Sequence, residues 1–283
     1  MRYLLLLFIS VQTMAQPIVL TMKNVSIGVD VAGGARIVSL KVEDREILGT
    51  AAIHPRFYGS SLWLSPEGKW KGMGGLDAAP YVKAGDGVLK LRSAPDTVRG
   101  FQFTKEIRLR PEDTAILIHY TITNTAAQSQ EVAPWEVTRV PTGGLAFFPS
   151  GDWPALAKSD LTIRDSLGYT WYPYDTSSKV RQKLFRHGAR GWTAYVRDGI
   201  LFVKRYPIIA VTQAAPGEEN VEVYANPEKT YIELENQGAY QSLASGASLT
   251  YDVVWYARRM PLGMTAAVGN KALIAYVRNL LKQ

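Results

Sequence analysis

From residue 17 to about residue 258, apolar and polar residues alternate in short runs that Gly, Pro, Asn or Asp interrupts roughly every ten residues. Successive side chains of a strand point to opposite faces, so this period-two pattern marks half-buried strands and predicts a sandwich or barrel. The predicted strands include Val25 to Val31, Ala35 to Val42, Gly87 to Ser93, Phe101 to Leu109, Ala115 to Thr123, Thr193 to Val196, Ile200 to Tyr206, Val221 to Tyr224, Tyr231 to Glu235 and Leu249 to Tyr256. Glu43-Asp44-Arg45, Ala84-Gly85-Asp86-Gly87 and Arg110-Pro111-Glu112-Asp113 are hairpin-type connections. No repeat, linker or helix between strands breaks the series, which predicts one all-β domain over residues 16–260. From Thr265 the period changes: Ala267, Leu273, Ile274, Val277, Leu280 and Leu281 recur at three-and-four spacing between Lys271, Arg278 and Lys282. This predicts an amphipathic C-terminal helix of about four turns within residues 261–283, capped by Thr265 and packed on the domain.

In Tyr231-Ile232-Glu233-Leu234-Glu235, the alternation puts Tyr231, Glu233 and Glu235 on one face and Ile232 and Leu234 on the other. The two carboxyl groups then stand roughly 7 Å apart, at about 3.3 Å of rise per residue. Ionised acids accept hydrogen bonds from the hydroxyls of a sugar, and one of them can remove an anomeric proton. The alternative is a solvated polar face. Tryptophans supply a second clue: Trp63 and Trp70 lie in a Gly-, Ser- and Pro-rich stretch, and Trp135, Phe147, Phe148 and Trp153 form a second group. Indole rings in loops stack on the C–H face of a pyranose, or else plug the ends of a sandwich.

Lys204 alternates with Leu201 and Val203 and so projects opposite to them, where an ammonium needs an acid or a ligand oxygen. Lys179, Arg181 and Lys183, followed by Arg186 and Arg190, read as a charged edge strand. His54, His119 and His187 are far apart in sequence and fit no metal spacing, and the residues imply neither a metal nor another cofactor. His119 lies on the polar Leu117, Thr121, Thr123 face of its strand.

Composition fixes the surroundings. Arg2, a short Leu-rich stretch from Tyr3 to Val11 and the small-residue site ending at Ala15 read as a secretory signal peptide over residues 1–15. A chain without cysteine can form no disulfide, which for an exported protein fits a bacterial periplasm. No later window is long and apolar enough to span a bilayer, so no membrane partner is expected once the signal is removed. The formal charge of +7, less the one charge of Arg2, leaves +6 on the mature chain. Its Lys and Arg are scattered and no aromatic-interleaved basic motif occurs, so nucleic acid is not an expected partner.

Gly33-Gly34-Ala35-Arg36-Ile37-Val38-Ser39-Leu40, followed by Asp44-Arg45-Glu46-Ile47-Leu48, resembles the N-terminal strand pair of galactose mutarotase-like proteins. Leu234-Glu235-Asn236-Gln237 is similar to the segment where aldose 1-epimerases keep their general base. Gly59-Ser60-Ser61-Leu62-Trp63, Ser65-Pro66, Pro134-Trp135, Phe202-Val203-Lys204 and Val221-Glu222-Val223-Tyr224, in this order, resemble an uncharacterised bacterial domain family within that superfamily. The resemblance implies an antiparallel β-supersandwich that binds carbohydrate on one sheet. It also implies an epimerase-like proton transfer with Glu235 as base. The epimerases' proton-donating His is replaced here by Ala133-Pro134-Trp135-Glu136, which leaves His119, Lys204 or a tyrosine as the acid. The site expected from all this is Glu235 and His119 as the catalytic pair, with Trp63, Trp70, Trp135, Lys204, Glu222, Tyr224 and Glu233 around a carbohydrate. The rival expectations are an accessory protein for acidic polysaccharide, suggested by the net charge, and a structural protein with solvated acids.

Overall fold

The computed structural model describes residues 16–282 apart from residues 71, 85–87, 152, 157–158 and 178–181. The proposed signal peptide, the turn at residues 85–87, and Lys179 and Arg181 therefore lie outside the described residues. Two antiparallel sheets face each other. The first runs, in spatial order, Ile18–Met22, Val25–Asp30, Arg36–Val42, Ser60–Ser65, Gln130–Pro141, Tyr231–Gln237, Val221–Ala225 and Lys183–Arg186, with Arg45–Glu46 and Gln241–Leu243 as side branches. The second runs Arg164–Ser166, Tyr169–Pro173, Leu145–Pro149, Trp192–Arg197, Ile200–Arg205, Ser248–Arg259, Ala115–Asn124, Phe101–Arg110, Leu89–Ser93 and Tyr81–Lys83.

The main core lies between the sheets. Ile27, Leu40, Leu62, Leu64, Val223, Ile232 and Leu234 from the first sheet meet Phe103, Ile107, Ile118, Tyr120, Ile122, Phe202 and Trp255 from the second. A second core forms on the outer face of the second sheet, where Leu273, Ile274, Val277 and Leu281 of the C-terminal helix cover Phe147, Trp171, Trp192, Leu201 and Val203. A sheet apolar on both faces needs such a cover, and this one accounts for the Leu201/Val203 alternation.

Two expectations are corrected. The helix spans Lys271–Leu280, and its cap is Asn270, whose side chain accepts from the backbone N–H groups of Ala272 and Leu273. Thr265 instead accepts from Asn270 Nδ2 through its carbonyl at 2.8 Å, and Gly269 just before the cap has φ +72°, which breaks any helix reaching back to Thr265. The segments around Trp63 and Trp135, read as aromatic loops, are the strands Ser60–Ser65 and Gln130–Pro141. Both are buried on both faces, so they lack the alternation that marks a strand. Gly59 admits the first of them: its φ is +64°, and a Cβ there would stand 2.2 Å from the Ile37 carbonyl oxygen.

Candidate functional site

Five neighbouring strands of the first sheet build the site. Residues directly opposite across a ladder share a face. The register Trp63↔Trp135↔Gln237, Val137↔Glu235↔Glu222 and Arg139↔Glu233↔Tyr224↔Lys183 therefore puts all of these side chains on the face away from the core. Here Phe57, Trp63, Glu67, Trp135, Lys183, Tyr224, Tyr231 and Glu233 line a hollow of about 230 Å³. Trp63 and Trp135 meet edge to face, with centroids 5.4 Å apart, and Trp63 Nε1 is anchored on Asp77 at 3.2 Å. Tyr224 and Tyr231 form the opposite wall, 6.5 Å apart.

Charge is concentrated beneath the rings. Lys183 Nζ lies 2.7 Å from Glu222 and 3.2 Å from Glu235, and 4.8 Å above the Trp135 ring. Arg139 donates to Glu233 at 2.7 Å and to Ser61 Oγ at 3.1 Å, and its guanidinium stacks 4.7 Å from the Trp63 ring. Gln237 donates to both Glu218 and Glu222 at 2.8 Å, while Glu218 also takes the Glu67 backbone N–H at 2.5 Å and contacts Ser65 Oγ. Burial drives the Glu222 carboxyl well above the usual carboxylate range and lifts Glu235 to about 7, against the pull of Lys183 on both. Burial opposes the charge on Lys183, but Glu235 and Glu222 outweigh it and hold the ammonium well above its ordinary value. Buried Trp135 Nε1 and Arg139 Nη2 have no hydrogen-bond partner among the described residues; nor do Glu222 Oε2 and both Glu235 oxygens, though Glu222 Oε2 and Glu235 Oε2 face the Lys183 ammonium as ion pairs.

The structure thus brings together Trp63, Trp135, Glu222, Tyr224, Glu233 and Glu235. Of these, Glu222 and Glu235 are sealed under the Lys183 ammonium rather than open to the hollow. Three expected residues lie elsewhere. Lys204 points between the sheets, where it pairs with Glu136 at 2.8 Å and donates to the Leu234 carbonyl at 3.0 Å, both side chains being fully buried. It projects opposite to Leu201 and Val203 as the alternation requires, but that side is the main core. His119 is on the outer face of the second sheet, 2.6 Å from Asp252, so it is no acid for this site. Trp70 plugs the core, packed edge to face on Phe101 at 5.4 Å with its N–H on the Ser65 carbonyl at 3.4 Å. Phe147 and Phe148 are likewise core residues. Trp153 is half exposed against His187, away from the hollow.

The principal residue that sequence reasoning missed is Lys183, placed above among edge-strand charges. It does stand on a strand at the end of its sheet, but beside two buried acids. Arg139, Phe57 and Glu67 were also missed. Lys183 and Phe185 alternate with Leu184, the one signal that could have set them on a site face.

A family model described as Domain of unknown function (DUF4380) matches residues 75–258. No curated protein matches the sequence. Among solved structures, a galactose mutarotase-like protein from Lactobacillus casei is 11% identical, with 86% of this chain and 100% of that chain covered at a TM-score of 0.62. A galactose mutarotase related enzyme from Lactobacillus acidophilus is 12% identical, with 88% of this chain and 100% of that one covered at 0.60. A galactose mutarotase-like protein from Clostridium acetobutylicum is 11% identical, with 86% and 95% covered at 0.55. At these identities the likeness is one of fold, and the fold is galactose mutarotase-like.

Proposed function

The chain belongs to the family described as a domain of unknown function (DUF4380), and on that footing we propose an exported carbohydrate-binding protein whose ligand occupies the hollow between Trp63, Trp135, Tyr224 and Tyr231. The observation that carries this reading is the pair of orphaned buried donors beside the aromatic walls, Trp135 Nε1 and Arg139 Nη2. Buried donors are nearly always paired, so two unpaired ones call for a ligand with acceptors and an apolar face. A pyranose has both, and the volume suits one sugar ring. Titration with hexoses, read by intrinsic tryptophan fluorescence, tests it. Binding that moves the emission of the wild type and is lost in Trp135→Ala supports the site, and silence toward every hexose and amino sugar overturns it. Export is tested separately, by whether the protein recovered from the periplasm begins at Gln16.

A second reading adds proton transfer at the anomeric centre, and the observation favouring it is Glu235, whose carboxyl is lifted to about 7 and so exchanges a proton near neutral pH. Glu235 as carboxylate would take the proton of the anomeric hydroxyl while the Lys183 ammonium gives one to the ring oxygen, so that the bond from C1 to the ring oxygen breaks and the open-chain aldehyde can reclose on either face. The ammonium must first leave the 3.2 Å contact that seals the carboxylate. Polarimetry on fresh α-glucose or α-galactose decides: acceleration by the wild type that Glu235→Gln abolishes establishes an epimerase-like activity, and equal rates leave a binding protein.

A further inference from the structure

Taking the hollow as a sugar site, the chemistry of its walls specifies which sugar. The protein's own cations show what this surface stabilises: Lys183 lies over Trp135 at 4.8 Å and Arg139 over Trp63 at 4.7 Å, each held by carboxylates. Arg139 is matched by Glu233, and Lys183 by Glu222 and Glu235. Two further acids have no cation of their own among the described residues. Glu218 is satisfied by the neutral donors Ser65, Gln237 and the Glu67 N–H. Glu67 reaches Lys183 at 3.7 Å with a side chain 60% exposed at the rim. Among the described residues, five carboxyl groups thus surround two cations, and even with the buried Glu222 and Glu235 both neutral three acids face those two cations. On the opposite wall, no cation of the described residues lies over the Tyr224 ring, which is partly exposed beside the acidic rim, whereas Tyr231 is buried with His54 edge-on to it at 5.4 Å.

We propose that the hollow selects an amino sugar, whose ammonium is taken between the Tyr224 ring and the Glu67 carboxylate while the sugar ring lies in the hollow against Trp63. An ammonium against a π face near carboxylates gains from both, whereas a uronate meets the same acids as like charges. This turns the positive charge of the whole chain into a misleading guide: the net charge suggested acidic glycans, and the local charge opposes them.

The test uses matched pairs by calorimetry on the full protein, D-glucosamine against D-glucose and D-galactosamine against D-galactose, at a pH where the amines are protonated, with N-acetyl-D-glucosamine and D-glucuronate as controls. In at least one pair the amino sugar should bind about tenfold tighter than its neutral partner. N-acetylation should erase that advantage, and glucuronate should bind weakest. Glu67→Gln, a change at an exposed side chain, should shrink the advantage severalfold while the neutral sugar changes less. If neutral hexoses bind and the amino sugars bind no tighter, the amino-sugar inference is overturned and the carbohydrate reading stands. If no sugar binds at all, both fall.

Discussion

At Glu235 the cost of burial has a definite direction with pH. Its folded carboxyl is lifted from 4.5 to about 7, so between these values the folded chain holds a proton that the unfolded chain has released. Stability from this group is full below 4.5 and falls as pH rises toward 7. Glu235→Gln removes the titration, and urea midpoints across that window should slope less for the variant than for the wild type. Lys183 acts on the same balance from the other side. Lys183→Met leaves Glu222 and Glu235 without their counter-ion, and the loss should approach about 3 kcal/mol near pH 8. In mild acid the loss should shrink, because both carboxyls can then be neutral. A penalty that does not change with pH would mean that Lys183 matters for packing rather than for charge.

At the scale of the element, what could be read in advance follows from how a strand is buried. Phe101–Arg110 and Ser248–Arg259 alternate buried with exposed or half-buried positions, and their bounds fall within two or three residues of those read from sequence. Ser60–Ser65 is buried throughout, and Gln130–Pro141 is buried from Val132 on, so side-chain chemistry carries no period there and Trp63 and Trp135 looked like loop residues. Register is the second thing alternation omits. Glu222 and Glu235 could each be set on a strand face, but that they stand directly opposite, with Lys183 above both, is decided by contacts between residues 13, 39 and 52 positions apart. The same omission misplaced Lys204, since alternation says which side of its strand it takes but not that this side is the core. For the helix, Asn270→Ala removes the acceptor of two backbone N–H groups and should cost about 1 kcal/mol in thermal or urea unfolding. Thr265→Ala should cost much less, because it removes only the long 3.3 Å contact of the Thr265 hydroxyl with Asn270 Nδ2 and keeps the 2.8 Å one through the backbone carbonyl.

At the scale of the whole molecule, the Lys204–Glu136 pair joins the two sheets directly beneath the site strands. Glu136 comes from the first sheet and accepts from Tyr120 at 2.7 Å and Trp255 at 3.4 Å as well as from Lys204 at 2.8 Å, the last three coming from the second sheet. Lys204 in turn donates to the backbone of Leu234, the residue between Glu233 and Glu235. Burial depresses the Lys204 ammonium, and Glu136 is its main compensation. Breaking a buried pair by removing one partner leaves the other charge uncompensated, so Lys204→Met alone should cost about 3–5 kcal/mol. Lys204→Met with Glu136→Gln removes both charges and keeps an oxygen for Tyr120 and Trp255, so the double variant should recover most of that loss. If the pair is a clamp and not part of the ligand's surroundings, sugar affinity in the double variant should stay within about threefold of the wild type, since the pair lies between the sheets, on the core side of the first sheet, and the hollow is on that sheet's outer side. A tenfold loss of affinity in a double variant of restored stability would show instead that the clamp tunes Glu235 through the strand, and would tie the core to the site electrostatically.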